Sequence, residues 1–317
     1  MTRILVTGGT GFIGSRLVQR LAAGGHRVRA MAVENDPLLP NLAGVECEVV
    51  TGDITRPESL TAPLADVDAV VHLAAVLYAH DPAAFRRINL EGTRNLVEAS
   101  VQAAVRQFVY VSAAAATYRI RTNYGETKHL AEQLMHQTRE RTHFTIVRPT
   151  LVFGPNGGGQ ELVMYVQRLR SSRWFIPIVG SGAARKRWVH VDDVIEGLAL
   201  VVGNPASCGK TYNFGGADAH TMRAYTQMLC RRLGLGGPLV SVPVWACRIL
   251  AGALRLVQRQ PLLKRDTIIG VTMDADFDIE PARRELGYSP VAFEEWLFTR
   301  TSDDPFWGPL PQHAARS

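Results

Sequence analysis

A glycine-rich turn close to the start constrains this chain more than any other feature in it. Ile4-Leu5-Val6-Thr7-Gly8-Gly9-Thr10-Gly11-Phe12-Ile13-Gly14 reads as an apolar strand passing through a tight turn into a helix. Gly8 and Gly9 open backbone angles that other residues avoid, Gly11 lets a pyrophosphate approach the main chain, and Gly14 lets the helix pack on the strand. The helix that begins with Phe12 and Ile13 then offers an anion its free N–H groups and the positive end of its dipole.

A lone glycine triplet also suits a flexible turn, so its surroundings have to decide. Phe12, Ile13, Leu17, Val18 and Leu21 repeat at helical spacing and stop at Gly24-Gly25. A second strand, Arg27 to Val33, ends at Glu34, about twenty residues past Gly14, where a carboxylate meets the adenosine ribose of a dinucleotide. Such a carboxylate accepts from the ribose hydroxyls and repels a 2′-phosphate, which sets the expectation at NAD over NADP. Arg29 on the same strand, and a register that puts Val33 at the strand end, argue the other way.

Short apolar runs continue at Val45–Val50, Ala69–Leu73, Phe108–Ser112 and Thr145–Arg148, separated by helix-like segments that include Asp81–Ala104 and Asn123–Arg141. This alternation predicts an α/β chain with a Rossmann-type doubly wound parallel sheet covered on both faces. The texture changes at Gly154-Pro155-Asn156-Gly157-Gly158-Gly159, a hinge-like break. The expected division is a dinucleotide-binding domain over 1–155 and a smaller, interleaved substrate domain over most of 156–317. Residues 187–203 return to the first, because Trp188 to Val194 read as a strand turning into a helix.

With 46% hydrophobic residues the chain can fill a sizeable core. Its four cysteines have neither metal nor redox spacing, no His/Cys cluster suggests a metal site, and the N-terminus runs into a strand rather than a signal peptide. A reducing cytoplasm is therefore expected. The formal charge of +6 comes from dispersed arginines without an aromatic-basic stripe, which argues against nucleic acid.

Tyr124-Gly125-Glu126-Thr127-Lys128 puts a phenol and an ammonium one helical turn apart. A lysine beside a tyrosine favours the phenolate, and the same ammonium can bond a nicotinamide ribose. The tyrosine can then move a proton at a carbinol oxygen while hydride passes between carbon and nicotinamide. On an exposed helix the pair would mean nothing; after a dinucleotide site and a fifth strand it points to chemistry.

Together with Gly52-Asp53-Ile54, Val71-His72-Leu73-Ala74-Ala75, Asn89-Leu90-Glu91-Gly92-Thr93, Arg148-Pro149, Phe153-Gly154-Pro155, His190-Val191-Asp192-Asp193 and Glu285 to Pro290, these motifs resemble the short-chain dehydrogenase/reductases. The resemblance is to the extended or atypical branch that includes the NAD-dependent epimerase/dehydratase group. It implies that Asp53 and Ile54 flank the adenine, that Leu73, Ala74 and Ala75 line the cofactor, and that Pro149 and Val152 sit by the nicotinamide. It also implies Tyr124 and Lys128 as catalytic residues, and a homodimer through the helices 81–104 and 123–141.

Two departures stand out. Relatives of this kind usually carry a second Ser or Thr after the fifth strand to bond the reacting oxygen, and here that position is Ala113. Ser112 is the substitute, with Thr117 behind it; a strand-end hydroxyl satisfying the backbone is the other reading of Ser112. Only eleven residues separate Ser112 from Tyr124, a trimmed substrate mouth like that of a subgroup related to an accessory subunit of respiratory complex I, whose members can bind nucleotide without turning it over.

For substrate, Arg187, with Arg185 and Lys186 before it, lies where a diphosphate would be clamped, favouring a nucleotide sugar. Val76, Leu77 and Tyr78 at the mouth are apolar and would tolerate a greasier alcohol, as in 3-beta-hydroxysteroid dehydrogenases. Val242 to Val257 is apolar, carries Trp245, and is followed by Arg259, Lys264 and Arg265. It is too short and too interrupted to span a bilayer, and it either covers the substrate pocket or touches a membrane surface.

Overall fold

The computed structural model describes residues 1–79, 81–138, 142–155, 160–172, 174–257, 265–301 and 306–307. They form two compact units. The first is Met1–Thr150 with Asp192–Phe214 and Asp278–Ser289; the second is Leu151–Val191, Gly215–Phe277 and Pro290–Ser317.

The first unit is built on a seven-stranded parallel sheet. In chain order its strands are β1 (Arg3–Thr7), β2 (Arg27–Ala32), β3 (Glu48–Thr51), β4 (Ala69–His72), β5 (Gln107–Val111), β6 (His143–Pro149) and β7 (Thr211–Phe214). Across the sheet they lie β7-β6-β5-β4-β1-β2-β3. The connections reverse direction between β1 and β4. Right-handed crossovers therefore put helix α1 (Phe12–Ala23) on one face, and α2 (Thr93–Gln102) and α3 (Asn123–Thr138) on the other. Strands buried on both faces need unbroken apolar runs, and β4 and β5 are buried at every residue. Leu5, Val70, Phe108, Tyr110, Phe144 and Ile146 belong to the core cluster on this sheet.

Several elements differ from the reading of the sequence. β2 stops at Ala32, before Val33. β3 starts only at Glu48, because Gly44 at φ +77° and the turn bonds Val45 N to Leu42 O and Cys47 N to Val45 O occupy the preceding residues. The long helix expected over 81–104 is a helical turn at Pro82–Phe85, a π-helical stretch at Arg86–Gly92, and α2. α3 reaches Thr138, and the expected extension through 139–141 lies outside the described residues, as does 156–159 of the hinge-like break.

The second unit has an aromatic core. The rings of Trp188 and Tyr225 stack at 4.3 Å, Phe293 meets both edge-on, and Phe153 packs against Phe293 and Trp296. Arg232 is wholly buried, its guanidinium donating to the carbonyls of Leu297, Thr301 and Trp307.

Candidate active site

In an open parallel sheet, ligands bind beyond the carboxyl ends of the strands at the point where the order reverses. Here that point is the adjacent ends of β1 and β4, with Thr7 paired to His72. Gly8 stands at φ +66°, and a Cβ on it would meet Ala74 N at 2.8 Å, so the loop after β4 lies directly on the glycine turn. A Cβ on Gly14 would fall 2.0 Å from the Gly8 carbonyl. Gly11 N–H donates to Gly8 O at 3.1 Å and closes the turn, so the glycine contributes its missing side chain rather than a free amide. The amides of Phe12 and Ile13, in the first turn of α1, have no intrahelical acceptor, as a helix start suited to an anion requires. These features fit the diphosphate of a dinucleotide.

The carboxylate that reaches this turn is Asp36. Its Oδ2 accepts from Thr10 Oγ1 at 2.8 Å and its Oδ1 from Leu38 N at 2.9 Å, while Asn41 Nδ2 donates to Thr10 O. Glu34, the residue singled out from spacing, is exposed in the turn beyond the strand end, next to Asn35 at φ +56°. Asp53 Oδ1 accepts from both the amide and the hydroxyl of Thr55, each at 2.8 Å, and Ile54 is buried against Gly92, where a Cβ would come within 2.8 Å. Leu73, Ala74 and Ala75 are half-buried in the loop after β4.

A directed hydrogen-bond relay ties these parts together. Thr93 Oγ1 donates to Asn89 O at 2.7 Å, so at 2.9 Å it accepts from His72 Nε2–H. His72 Nδ1 then accepts from Thr7 Oγ1 at 2.7 Å, and Thr7 Oγ1 accepts from Ala74 N at 3.3 Å. The network thus assigns the tautomer. Complete burial, with a smaller contribution from the Lys128 charge, lowers the His72 pKa to about 3, so the ring stays neutral. Asn89 lies in the π-helical stretch and extends the relay, gripping Val76 through both its amide (2.8 Å) and its carbonyl (3.0 Å) and donating to Thr127 Oγ1 at 3.3 Å. Thr127 is in α3, between Tyr124 and Lys128. Thr7, His72, Asn89, Thr93 and Thr127 were not singled out by role from sequence, although the short motifs contain them.

α3 presents the other half of the site. Gly125 allows the helix onto the Ala114–Thr117 turn, since a Cβ there would be 2.7 Å from Ala115 O. Tyr124 is half-buried and Lys128 buried. Lys128 Nζ donates to Val111 O at 2.8 Å and lies 4.7 Å from the Tyr110 ring centre and 6.0 Å from that of Tyr124. Burial lowers its pKa to about 7 against an opposing pull from Glu132. Ser112 joins the same cluster with its proton already placed, donating to Glu132 Oε1 at 2.5 Å. Glu132 in turn takes both arms of Arg148, at 2.8 and 2.5 Å. Ser112, expected to orient the reacting oxygen, here places its hydroxyl proton on the carboxylate of the Glu132–Arg148 ion pair. Thr117, the second choice, donates to Ala114 O. Pro149 is buried at the end of β6, Val76 is half-buried, and Leu77 and Tyr78 are exposed beyond it.

Two expected site residues belong to the second unit. Val152 pairs with Val189 in a short parallel ribbon. Arg187 donates to Asp276 Oδ1 and to the carbonyls of Gly216 and Ala217, Arg185 takes Asp276 Oδ2 at 3.0 Å, and Lys186 is buried on the Gly270 and Met273 carbonyls. Among the described residues, no cluster of His, Cys, Asp and Glu could hold a metal ion.

The family model for the NAD dependent epimerase/dehydratase family matches residues 4–215, which is the stretch that builds the cradle, the relay and α3. The chain belongs to that family. It is an NAD-dependent enzyme with the Rossmann-like fold of the short-chain dehydrogenase/reductases. A 2-alkyl-3-oxoalkanoate reductase of Stenotrophomonas maltophilia is 30% identical over 93% of this chain and 97% of its own length. A 3-beta-hydroxysteroid dehydrogenase of Mycolicibacterium neoaurum is 28% identical over 91% and 87%. Among solved structures, DesIV, a dTDP-glucose 4,6-dehydratase from Streptomyces venezuelae with NAD and TYD bound, superposes with a TM-score of 0.72 at 27% identity, covering 92% of this chain and 94% of its own. The names of these relatives thus include an oxoalkanoate reductase, a hydroxysteroid dehydrogenase and a nucleotide-sugar dehydratase.

Proposed function

We propose that this member of the family interconverts an apolar secondary alcohol and its ketone, with Tyr124 as proton donor and acceptor. The observation that carries the choice of substrate is the basic triplet of the second unit, whose charges already have partners inside the protein: Arg185 and Arg187 share Asp276, and Lys186 is buried. A diphosphate clamp needs guanidinium groups that can turn to the ligand. The names of relatives that cover nearly the whole chain, a 3-oxoalkanoate reductase and a hydroxysteroid dehydrogenase, support the same reading.

The nicotinamide, when bound, accepts or gives the hydride. The rest is done by this chain's own groups. Gly8, Gly11 and the amides of Phe12 and Ile13 would hold the diphosphate; Asp36 keeps the glycine turn in shape through Thr10. Tyr124 Oη passes the proton to or from the substrate oxygen. Lys128 favours the phenolate by its charge, and its helix position is held by Val111 O and, through Thr127, by Asn89.

The test is turnover with NAD or NADH of medium-chain 3-oxoacyl and 3-oxosteroid compounds against UDP- and dTDP-glucose. Turnover of the apolar compounds alone supports the proposal. Turnover of nucleotide sugars alone overturns the substrate class, and NAD binding without turnover of either panel would favour a nucleotide-binding scaffold.

A further inference from the structure

The helix Val244–Val257 of the second unit is apolar on two opposite sides. Its inward side carries Cys247 and Ala251, which close on Ile268, Val179 and Val242. Its outward side presents Trp245 and Ile249, one turn apart and each 66% exposed, with Leu250 at 49% beside them. A helix with apolar residues on opposite sides packs one of them on its own core, and here, among the described residues, Trp245, Ile249 and Leu250 on the other stay exposed. Single exposed apolar residues are ordinary, but a tryptophan and an isoleucine stacked on one helix face form a patch.

The charge around the helix says what covers that patch. Within Val244–Val257 the sequence contains Arg248 and Arg255 and no Asp or Glu. Arg248 is exposed on the helix itself. The helix has 14 residues, a length of about 21 Å, whereas a crossing needs about 20 residues. No helix among the described residues is long and apolar enough to cross a membrane.

We infer that this helix lies in the interface of an anionic membrane, with Trp245 and Ile249 at the boundary of headgroups and acyl chains and Arg248 against acidic headgroups. A second copy of the chain is the poorer partner. Two such helices meeting face to face would bring the arginines of both together with no acidic residue on either to answer them. The docking uses the second unit alone and is independent of the substrate proposed above.

The experiment is co-sedimentation of the full chain with vesicles of phosphatidylcholine containing phosphatidylglycerol, and with phosphatidylcholine alone. Binding is expected only to the anionic vesicles. It should weaken as salt rises from about 0.1 M to about 1 M and the Debye length falls from about 10 Å to about 3 Å. Trp245→Ser combined with Ile249→Ser should lower the partition coefficient about tenfold or more, with stabilisation by NAD unchanged. Arg248→Glu, an exposed single change, should lower it several-fold and decides the matter where the double variant is poorly folded. No binding to anionic vesicles, equal binding to both compositions, or variants that bind as the parent does would each overturn the inference. So would a dimer in light scattering that the double variant dissolves.

Discussion

Ser112 Oγ lies 2.5 Å from Glu132 Oε1, and the same carboxylate receives the Arg148 guanidinium, so the hydroxyl nearest in sequence to the reacting oxygen's usual partner is tied into a buried ion pair. Ser112→Ala is therefore expected to act on stability, costing about 1.5–3 kcal/mol for a bond to a charged group. Its effect on kcat should stay under about tenfold, below the 10²–10³ that loss of a transition-state donor costs. Urea unfolding and steady-state rates measured on one preparation separate the two; a larger loss in kcat with stability intact would return Ser112 to the chemistry.

Tyr124→Phe should lower kcat by about 10²–10⁴ while the Kd for NAD stays within error, because the ring keeps its packing and only the proton carrier is removed. Isothermal titration with NAD and initial rates with the ketone identified by the substrate panel give both numbers. Turnover close to the parent's would remove Tyr124 from the mechanism.

Gly14→Ala sets two effects against each other. Alanine improves an exposed helix interior by up to about 1 kcal/mol. At this site its Cβ would sit 2.0 Å from the Gly8 carbonyl, a backbone atom that cannot swing away, and the cost of overpacking is about 1–3 kcal/mol or more. The expected outcome is a lower Tm together with loss of the stabilisation that NAD confers, read by thermal unfolding with and without the cofactor.

His72 predicts a particular acid sensitivity. Its pKa is lowered from 6.5 to about 3 in the folded protein, so between those values the unfolded chain binds a proton that the folded protein does not. Stability contributed by this group is full above pH 6.5 and is lost as pH falls toward 3, at about 1.4 kcal/mol per unit. His72→Gln removes the titration, and its unfolding free energy should fall less steeply between pH 6.5 and pH 4.5 than that of the parent. Parallel slopes would mean that the ring is not held neutral by burial.

The glycine turn and the helix carrying Tyr124 and Lys128 were legible in the sequence because each depends on residues near one another along the chain. Gly8, Gly11 and Gly14 answer local backbone demands, and Tyr124 and Lys128 share a helix face by periodicity alone. The parallel sheet followed from the alternation of apolar runs, since strands covered on both faces leave that pattern. What the tertiary structure decided are relations between distant segments. Asp36 reaches Thr10 because β2 ends at Ala32 and the turn after it folds back on the glycine loop. Ser112 turns toward Glu132 because β5 and α3 pack side by side. The relay from Ala74 to Thr127 crosses two strands, a π-helical stretch and two helices, and no spacing encodes it. Arg187 reads as a phosphate clamp until Asp276, 89 residues away, is found beside it. Periodicity reports which face of an element is buried; hydrogen-bond partners across the fold are chosen by where strand ends and helix starts come to rest.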